Sequence, residues 1–235
     1  MRSPLALMRK LLRINVQAYR TARIRQRRRA IEDYTSLMDV VRTSADCCFV
    51  LSTGRCGTEY LTRLLELSPN LACYHTPTPE LITHSRIVYE SQAETKQGFE
   101  LGVEMARYEL IMHAYLTHRQ YVETNNRITF FAEALLSVFP QARFIHLVRN
   151  PASFVRSGIR RGYYTGRTLH DAGRIVPRSD AVPWPTMSQL EKVAWLWNET
   201  NQYIEDFKAT SCGDRILLVR AEDMFGSSAR AQAIY

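Results

Sequence analysis

The loop over residues 52–58 carries residue types that suit the binding of a phosphate-like anion. It follows a short apolar run and precedes a helix-prone stretch, so it joins a predicted buried strand to a helix N-terminus. Free backbone N–H groups at such a terminus bind oxyanions. Gly54 and Gly57 let the loop curl without Cβ clashes, and Arg55 adds a positive charge. The loop departs from the Walker pattern of P-loop kinases, because Thr58 stands where that pattern has Lys.

A second candidate for anion binding is formed by Arg149 and Ser157. The apolar segment 143–148 is predicted to be a central strand that ends at Arg149, and ligands bind at the carboxyl ends of strands in open α/β sheets. Ser157 lies on the next predicted helix, which Pro151 begins. A guanidinium fork and a hydroxyl can converge on one anion; the alternative for Arg149 is an ion pair with an acid at the edge of the core. Two anion sites at neighbouring strand ends suit one ligand with separated anionic groups.

Alternating strand and helix patterns position these residues. Strands are predicted at 47–51, 71–75, 120–123, 143–148 and 215–219. Helices are predicted at about 59–67, 99–118, 129–138, 151–161 and 188–209. This alternation predicts an α/β fold, a three-layer αβα sandwich around a parallel sheet.

Taken together, the motifs resemble those of PAPS-dependent sulfotransferases of the bacterial type (PAPS is 3′-phosphoadenosine 5′-phosphosulfate). Arg55-x-Gly57-Thr58 resembles the 5′-phosphosulfate loop of that family, and residues 139–151, continuing to Ser157, resemble its 3′-phosphate segment. Residues 194–198 and 218–223 resemble later landmarks of the family. The resemblance covers about residues 47–225, and it implies the P-loop nucleotide-kinase-like sulfotransferase fold.

The resemblance also implies roles for single residues. The loop residues expected to cradle the 5′-phosphosulfate, chiefly through backbone N–H groups, are Arg55, Cys56, Gly57, Thr58 and Glu59. Arg149 and Ser157 would hold the 3′-phosphate that distinguishes PAPS from ATP. Arg55 is also the candidate catalytic cation, because a positive charge near the bridge oxygen stabilises the charge that develops there during transfer. No metal is implied.

The acceptor, a hydroxyl or an amine, needs a base. His75 is the first candidate, because imidazole titrates near neutrality and His75 follows the predicted second strand. The alternative for His75 is a structural role at the end of that strand. Bacterial sequences of the resembled family often have His-Glu-Pro at this point, whereas this chain has His-Thr-Pro over residues 75–77. The carboxylate role therefore stays open between Glu80 and Glu123.

Two further features depart from the resembled family. Glu59 stands where the common motif has Ser or Thr; a carboxylate suits a helix N-terminus but would repel a sulfate unless it points away. The chain also ends about a dozen residues after Asp223, where related sequences continue. The sulfotransferase domain is expected over residues 45–235, and a short C-terminus there would indicate a short variant, a fragment or an inactive protein.

The net charge of +8 belongs to one segment of the chain. Residues 1–30 hold ten basic and no acidic residues, whereas the remaining 205 hold 21 basic and 23 acidic residues. We therefore expect a basic helical arm over residues 1–40 and no specific binding of nucleic acid by the body. The amphipathic stretch 5–29 either packs its apolar stripe on the body or contacts an anionic membrane surface peripherally.

Composition also bears on compartment and partners. The five cysteines are odd in number and lack C-x-x-C spacing, which is typical of a reducing compartment. No apolar stretch approaches the ~20 residues that span a bilayer. We therefore expect a cytoplasmic protein, with peripheral membrane attachment as the alternative.

The acceptor is expected to be a small molecule, a glycan or a lipid, in a pocket framed by residues 75–98 and 162–187. The sequence does not indicate the oligomeric state. Two other functions stay open: a P-loop-like nucleotide or phosphate-binding kinase, and a non-catalytic protein whose basic arm binds membranes or nucleic acid.

Overall fold

Strands and helices alternate along the computed structural model, which describes residues 34–91 and 96–226. The strands are β1 (Cys47–Leu51), β2 (Leu71–His75), β3 (Gln120–Thr124), β4 (Arg143–Val148) and β5 (Ile216–Arg220). The helices are α1 (Tyr34–Ser44), α2 (Thr58–Leu65), α3 (Ile82–Glu90), α4 (Lys96–Leu116), α5 (Ala132–Val138), α6 (Pro151–Arg160), α7 (Leu169–Ala172), α8 (Gln189–Phe207) and α9 (Ala221–Gly226). The predicted strands are confirmed to within one residue, and the predicted helices are confirmed with ends that differ by up to three residues. A 3₁₀ helix, Asn126–Phe131, forms the first part of the helix predicted at 129–138.

Strand β1 lies at the centre of a parallel sheet with the strand order β2-β3-β1-β4-β5. Phe49 of β1 pairs with Glu123 of β3 on one side and with Phe144 of β4 on the other. The sheet is therefore built outward from β1 in both directions. In open sheets of this kind the ligand crevice lies beyond the carboxyl ends of the strands, where the strand order reverses. The loops that follow β1 and β4 meet at that edge.

The alternation of side chains along β1 creates two cores. Phe49 and Leu51 pack into the larger cluster on one face of the sheet, together with Phe144 of β4. Val50 faces the opposite side, where Leu61 of α2 covers it. Because successive strand residues point to opposite faces, a strand that is apolar throughout requires helices on both sides. The three-layer αβα fold predicted from the sequence is thus confirmed.

Helix α3 is not predicted by the sequence patterns, which indicate no element between residues 75 and 98. Its N-cap, Leu81, makes no side-chain hydrogen bond to the helix, so the usual start signal is absent. A tertiary contact positions the helix instead, because a Cβ at Gly173 would lie only 1.8 Å from the carbonyl oxygen of Ile82. The backbone of the 162–187 segment therefore packs directly on the first turn of α3.

Helix α1 crosses the expected boundary of the basic arm at residue 40. Leu37 and Val41 are buried in the larger core, and Arg42 Nη2 donates to Glu104 Oε2 of α4 at 2.8 Å. This helix thus packs with the body of the protein. The amphipathic stretch 5–29 lies outside the described residues. Among the helices that are described, none combines the length and apolar character needed to cross a membrane.

Candidate active site

The loop between β1 and α2 is held in a left-handed backbone conformation. Gly54, Arg55 and Gly57 have φ values of 75°, 56° and 88°. Arg55 adopts this conformation although it is not glycine, which is a strained geometry of the kind concentrated at functional sites. At Gly57 the φ of 88° disfavours any side chain, and an added Cβ would lie 2.7 Å from Phe225 Cζ of α9, so the exposed Phe225 ring would have to move. The sharp turn delivers the chain into the N-terminus of α2, as the sequence predicted.

Hydrogen bonds with buried residues hold the start of this loop in place. Ser52 N–H donates to Thr129 Oγ1, and the Thr129 hydroxyl donates back to the Ser52 carbonyl, both at 3.0 Å. Cys56 is buried, and its thiol lies 3.1 Å from the carbonyl oxygen of Gly54. Burial raises the pKa of the Cys56 thiol to about 11. Cys56 is therefore a neutral thiol at physiological pH, and what it can offer an anion is its backbone N–H.

Glu59 lies on the exposed side of α2. Arg63 Nη2, one turn further along the helix, donates to its carboxylate at 2.6 Å. The side chain thus extends along the helix surface toward Arg63, and its charge is compensated there. An anion on the loop can use the backbone N–H of Glu59 without meeting an uncompensated carboxylate.

Arg149 and Ser157 both contact Arg55, which links the two predicted anion sites. Arg149 Nη1 donates to the carbonyl oxygen of Arg55 at 2.8 Å, and Arg55 Nε donates to Ser157 Oγ at 3.2 Å. The end of β4 and the second turn of α6 therefore lie against the loop that follows β1. The predicted cofactor residues form one continuous group.

The two later landmarks of the sequence fix the position of Arg149. The indole N–H of Trp197, on α8, donates to the Arg149 carbonyl oxygen at 2.9 Å. Glu222, at the start of α9, accepts from the backbone N–H of Asn150 at 3.0 Å. Asn150 in turn caps α6 by accepting from Ser153 N–H. The turn after β4 is thus anchored by three separate helices.

His75 is held by a chain of hydroxyl groups. Its Nδ1 lies 2.9 Å from Thr124 Oγ1, and Thr124 Oγ1 is in turn hydrogen-bonded to Thr62 Oγ1. Thr62 gives its only hydroxyl proton to the carbonyl oxygen of Thr58, at 2.9 Å. Thr124 must therefore donate to Thr62 and accept from His75. In the neutral imidazole of His75, this direction of hydrogen bonding places the proton on Nδ1 and the lone pair on Nε2.

The two alternative carboxylates lie in different surroundings. Glu80 forms an ion pair with Arg127. Glu123 is completely buried and accepts hydrogen bonds from Arg107, Tyr121 and Asn125. Neither side chain lines the cavity described below, whereas His75 does.

A cavity of about 420 Å³ opens at the loop and at His75. The anion loop contributes residues 52–55 and Thr58 to its lining. Both segments expected to frame an acceptor pocket also line it, with His75 and Ile82 from one and Arg174 from the other. Arg149 and Ser157 do not line this cavity, although both contact Arg55, which does. The Arg149–Ser157 pair therefore lies outside the cavity lining and is connected to it through Arg55.

Several residues near the site were missed by the sequence reading. The exposed rings of Tyr60 and Phe225 lie 5.1 Å apart, centroid to centroid, beside Gly57. Arg127, Arg161 and Arg174 line the cavity. A signal for the arginines was present, since residues 151–178 hold six arginines and a single acid. No three His, Cys, Asp or Glu residues of the described chain form a group that could hold a metal ion.

A search of curated proteins gives no match. Among solved structures, the chain is similar to the sulfotransferase domain from the curacin biosynthetic pathway, with a TM-score of 0.52, 17% identity, and coverage of 82% of this chain and 72% of that one. It also matches the sulfotransferase domain from the Synechococcus PCC 7002 olefin synthase, with a TM-score of 0.47, 19% identity, and coverage of 76% and 67%. The first of these likenesses supports the fold.

The sequence profile of the sulfotransferase family matches residues 48–226. This range is more than half of the chain, and it contains the anion loop, His75, Arg149 and Ser157. This match shows that the chain belongs to the sulfotransferase family.

Proposed function

We propose that the protein transfers a sulfuryl group from PAPS to a hydroxyl acceptor. The observation that carries the proposal is the contact of Arg55 with both Arg149 and Ser157. Through it, a loop suited to one anion is joined to a second anion-binding pair at the neighbouring strand end. PAPS has anionic groups at its 5′ and 3′ positions that match these two places.

The residues proposed to bind PAPS have N–H and O–H groups that are available for hydrogen bonds to the nucleotide. The loop offers the backbone N–H groups of residues 55–59. Within residues 34–91 and 96–226, Arg149 donates hydrogen bonds only from Nη1. Within the same residues, the Ser157 hydroxyl accepts a hydrogen bond and donates none. These donors would hold the 3′-phosphate. Tyr60 and Phe225 offer exposed aromatic surface beside the loop on which a purine could stack.

In the proposed reaction, the acceptor oxygen forms a bond to sulfur while the bond from sulfur to the bridging phosphate oxygen breaks. The leaving nucleotide gains negative charge at that oxygen. Arg55 stabilises this charge and remains a cation throughout, because a guanidinium does not give up its proton in proteins. It therefore contributes charge and hydrogen bonds, and it does not act as an acid.

His75 takes the proton that the acceptor hydroxyl loses. Its Nε2 lone pair is available because Thr124 holds the ring proton on Nδ1. The His75 ring lines the same cavity as Arg55. The proposed base and the proposed catalytic cation therefore border the same cavity. Glu80, as an alternative base, is paired with Arg127, and Glu123 is buried in its own network. The geometry thus favours His75 over either carboxylate.

Nucleotide binding tests the donor assignment. We expect 3′,5′-adenosine bisphosphate (PAP) to bind more tightly than ATP in isothermal titration calorimetry. Arg149→Ala should weaken PAP binding by about 10–100-fold, because a charge-assisted hydrogen bond contributes about 1.5–3 kcal/mol. It should change the affinity for adenosine 5′-phosphosulfate, which lacks the 3′-phosphate, by less than about twofold.

Arg156→Ala is the matched control, since Arg156 is an exposed arginine on the same helix as Ser157. It should leave both affinities unchanged. Tighter binding of ATP than of PAP would contradict the proposed function. Equal losses for both ligands in Arg149→Ala would contradict the 3′-phosphate assignment alone.

A further inference from the structure

No carboxylate lines the cavity in the described part of the chain, whereas six basic side chains do. They are Arg55, His75, Arg127, Arg161, His170 and Arg174. The acids that compensate two of them, Glu80 and Asp171, lie outside the lining. The cavity surface therefore presents guanidinium and imidazole groups without a facing carboxylate.

Arg174 is oriented before any ligand arrives. Its Nε donates to Asp171 Oδ1 at 2.7 Å, and its guanidinium carbon lies 3.2 Å from the centroid of the Tyr163 ring. The side chain is only 13% exposed. Nη1 and Nη2 make no hydrogen bond within residues 34–91 and 96–226, and neither is among the buried polar atoms that lack a partner. Two N–H-bearing nitrogens of a fixed fork are thus left open, in the geometry that binds carboxylates and phosphates.

Arg161 brings a second cation to the same cavity. It follows the last residue of α6, one helical turn after Ser157. Its side chain makes no ion pair or hydrogen bond to another described residue, yet it lines the cavity. Arg174 is paired with Asp171, whereas Arg161 forms no ion pair with an acid of the described residues.

Both terminal nitrogens of Arg127 have partners. One terminal nitrogen pairs with Glu80, and the other lies 2.9 Å from His170 Nδ1. Arg127 therefore forms part of the cavity wall. Among the arginines of the lining that are not assigned to PAPS binding, Arg161 and Arg174 are the two whose terminal nitrogens make no hydrogen bond within residues 34–91 and 96–226.

We infer that the acceptor carries an anionic group of its own, a carboxylate or a phosphate ester, bound by Arg161 and Arg174. Its hydroxyl would then face His75 and Arg55. This inference rests on the proposed function, and it names the acceptor class for the same site. Sulfuryl transfer to this hydroxyl yields a sulfate ester and PAP, and the hydroxyl proton goes to His75 Nε2. The anion itself takes no part in bond breaking and serves to orient the acceptor.

Pairs of acceptors that differ only in charge test the inference. Methyl β-glucuronide is compared with methyl β-glucoside, and 4-hydroxyphenylacetate with its methyl ester, in transfer from labelled PAPS. We expect at least one anionic member to have a kcat/KM about tenfold or more above its neutral partner, because a charge-assisted pair contributes at least that factor. Arg161→Gln should remove this preference by raising the acceptor KM, and PAP affinity should stay within about twofold.

Two variants act as controls. Arg160→Gln removes a neighbouring exposed arginine that does not line the cavity, and it should leave the preference intact. Arg174→Lys keeps the charge next to Asp171 but removes the fork, so it should reduce the preference without abolishing it.

The outcomes separate the inference from the proposed function. If PAP fails to bind the unaltered protein, the proposed function is wrong. If PAP binds but every neutral acceptor is used as well as its anionic partner, or if no acceptor is used, the inference alone is overturned. An equal loss of PAP and acceptor affinity in Arg161→Gln would also overturn it, since Arg161 would then bind the donor.

Discussion

At the scale of single residues, the direction of hydrogen bonding matters as much as proximity. The Thr58 carbonyl can only accept, so it takes the proton of Thr62, and this choice passes through Thr124 to His75. Thr62 and Thr124 are positioning residues, because they act on the proposed reaction only through His75. They hold Nε2 of His75 free to accept a proton.

Thr124→Val should lower the turnover of sulfuryl transfer by about tenfold, which is less than the roughly 10²–10⁴-fold contribution of a general base because His75 itself is retained. The variant lets the His75 proton move to Nε2, which removes the lone pair that acts as base. PAP affinity should be unchanged, and the acid limb of the kcat profile against pH should shift.

Thr124→Ser keeps the hydroxyl and should restore both turnover and the pH profile. Thr62→Val removes the acceptor for the Thr124 proton, and it should lower turnover although Thr62 does not line the cavity. If Thr124→Val leaves the pH profile in place, the relay has no role in setting the tautomer.

At the scale of elements, the site is made where one strand end is braced by helices from distant parts of the chain. The turn after β4 starts α6 through the Asn150 cap, while α8 and α9 bind its backbone through Trp197 and Glu222. These contacts explain why landmarks far along the sequence accompany the 3′-phosphate segment. Their side chains hold Arg149 in place without lining the cavity themselves.

Trp197→Phe should weaken PAP binding by about 3–10-fold. The ring stays while the indole N–H that binds the Arg149 carbonyl is lost, and one such hydrogen bond contributes about 0.5–1.5 kcal/mol. Trp195→Phe is the control, because Trp195 packs against Trp184, at a centroid distance of 5.2 Å, and the Trp195 indole forms no hydrogen bond with another described residue. Calorimetry that finds equal PAP affinities for the two variants would show that Trp197 does not position Arg149.

At the scale of the whole molecule, the burial of cysteine thiols lowers the free energy of unfolding at alkaline pH. Desolvation raises the pKa of Cys56 to about 11 and that of Cys48 to about 12, whereas an exposed thiol has a pKa of about 8.5. The folded protein therefore keeps these protons in a range where the unfolded chain releases them. Their contribution to stability is complete below about pH 8.5 and is lost as the pH rises toward the folded-state pKa values.

Cys56→Ala should reduce this alkaline loss. Ionisation of Cys56 in the unfolded chain alone lowers the free energy of unfolding by about 2–3 kcal/mol between pH 7.5 and pH 10.5. Urea unfolding at the two pH values should therefore show a smaller drop for Cys56→Ala than for the unaltered protein. The same drop in both proteins would mean that the thiol is not desolvated.

The basic arm belongs to this scale as well. Residues 1–33 lie outside the described chain, so peripheral membrane contact through residues 5–29 remains a proposal. A cytoplasmic location, drawn from the cysteines and the apolar runs, also remains a proposal.

Features that depend on neighbours along the chain could be predicted from the sequence. The apolar run 47–51, the glycines of the loop and the short spacing from Arg149 to Ser157 each follow from local backbone and side-chain preferences. They were enough for the five strands, the αβα fold and the grouping of the predicted cofactor residues.

Features that depend on contacts between distant parts of the chain could not be predicted from the sequence. Burial of Glu123 with Arg107, the proton position on His75 and the open donors of Arg161 and Arg174 each require partners that are distant in sequence. Helix α3 could not be predicted from the sequence for the same reason. A backbone contact with Gly173 positions it, and its N-cap residue makes no side-chain hydrogen bond. Charge compensation and desolvation depend on distance in space, and spacing along the chain does not contain that information.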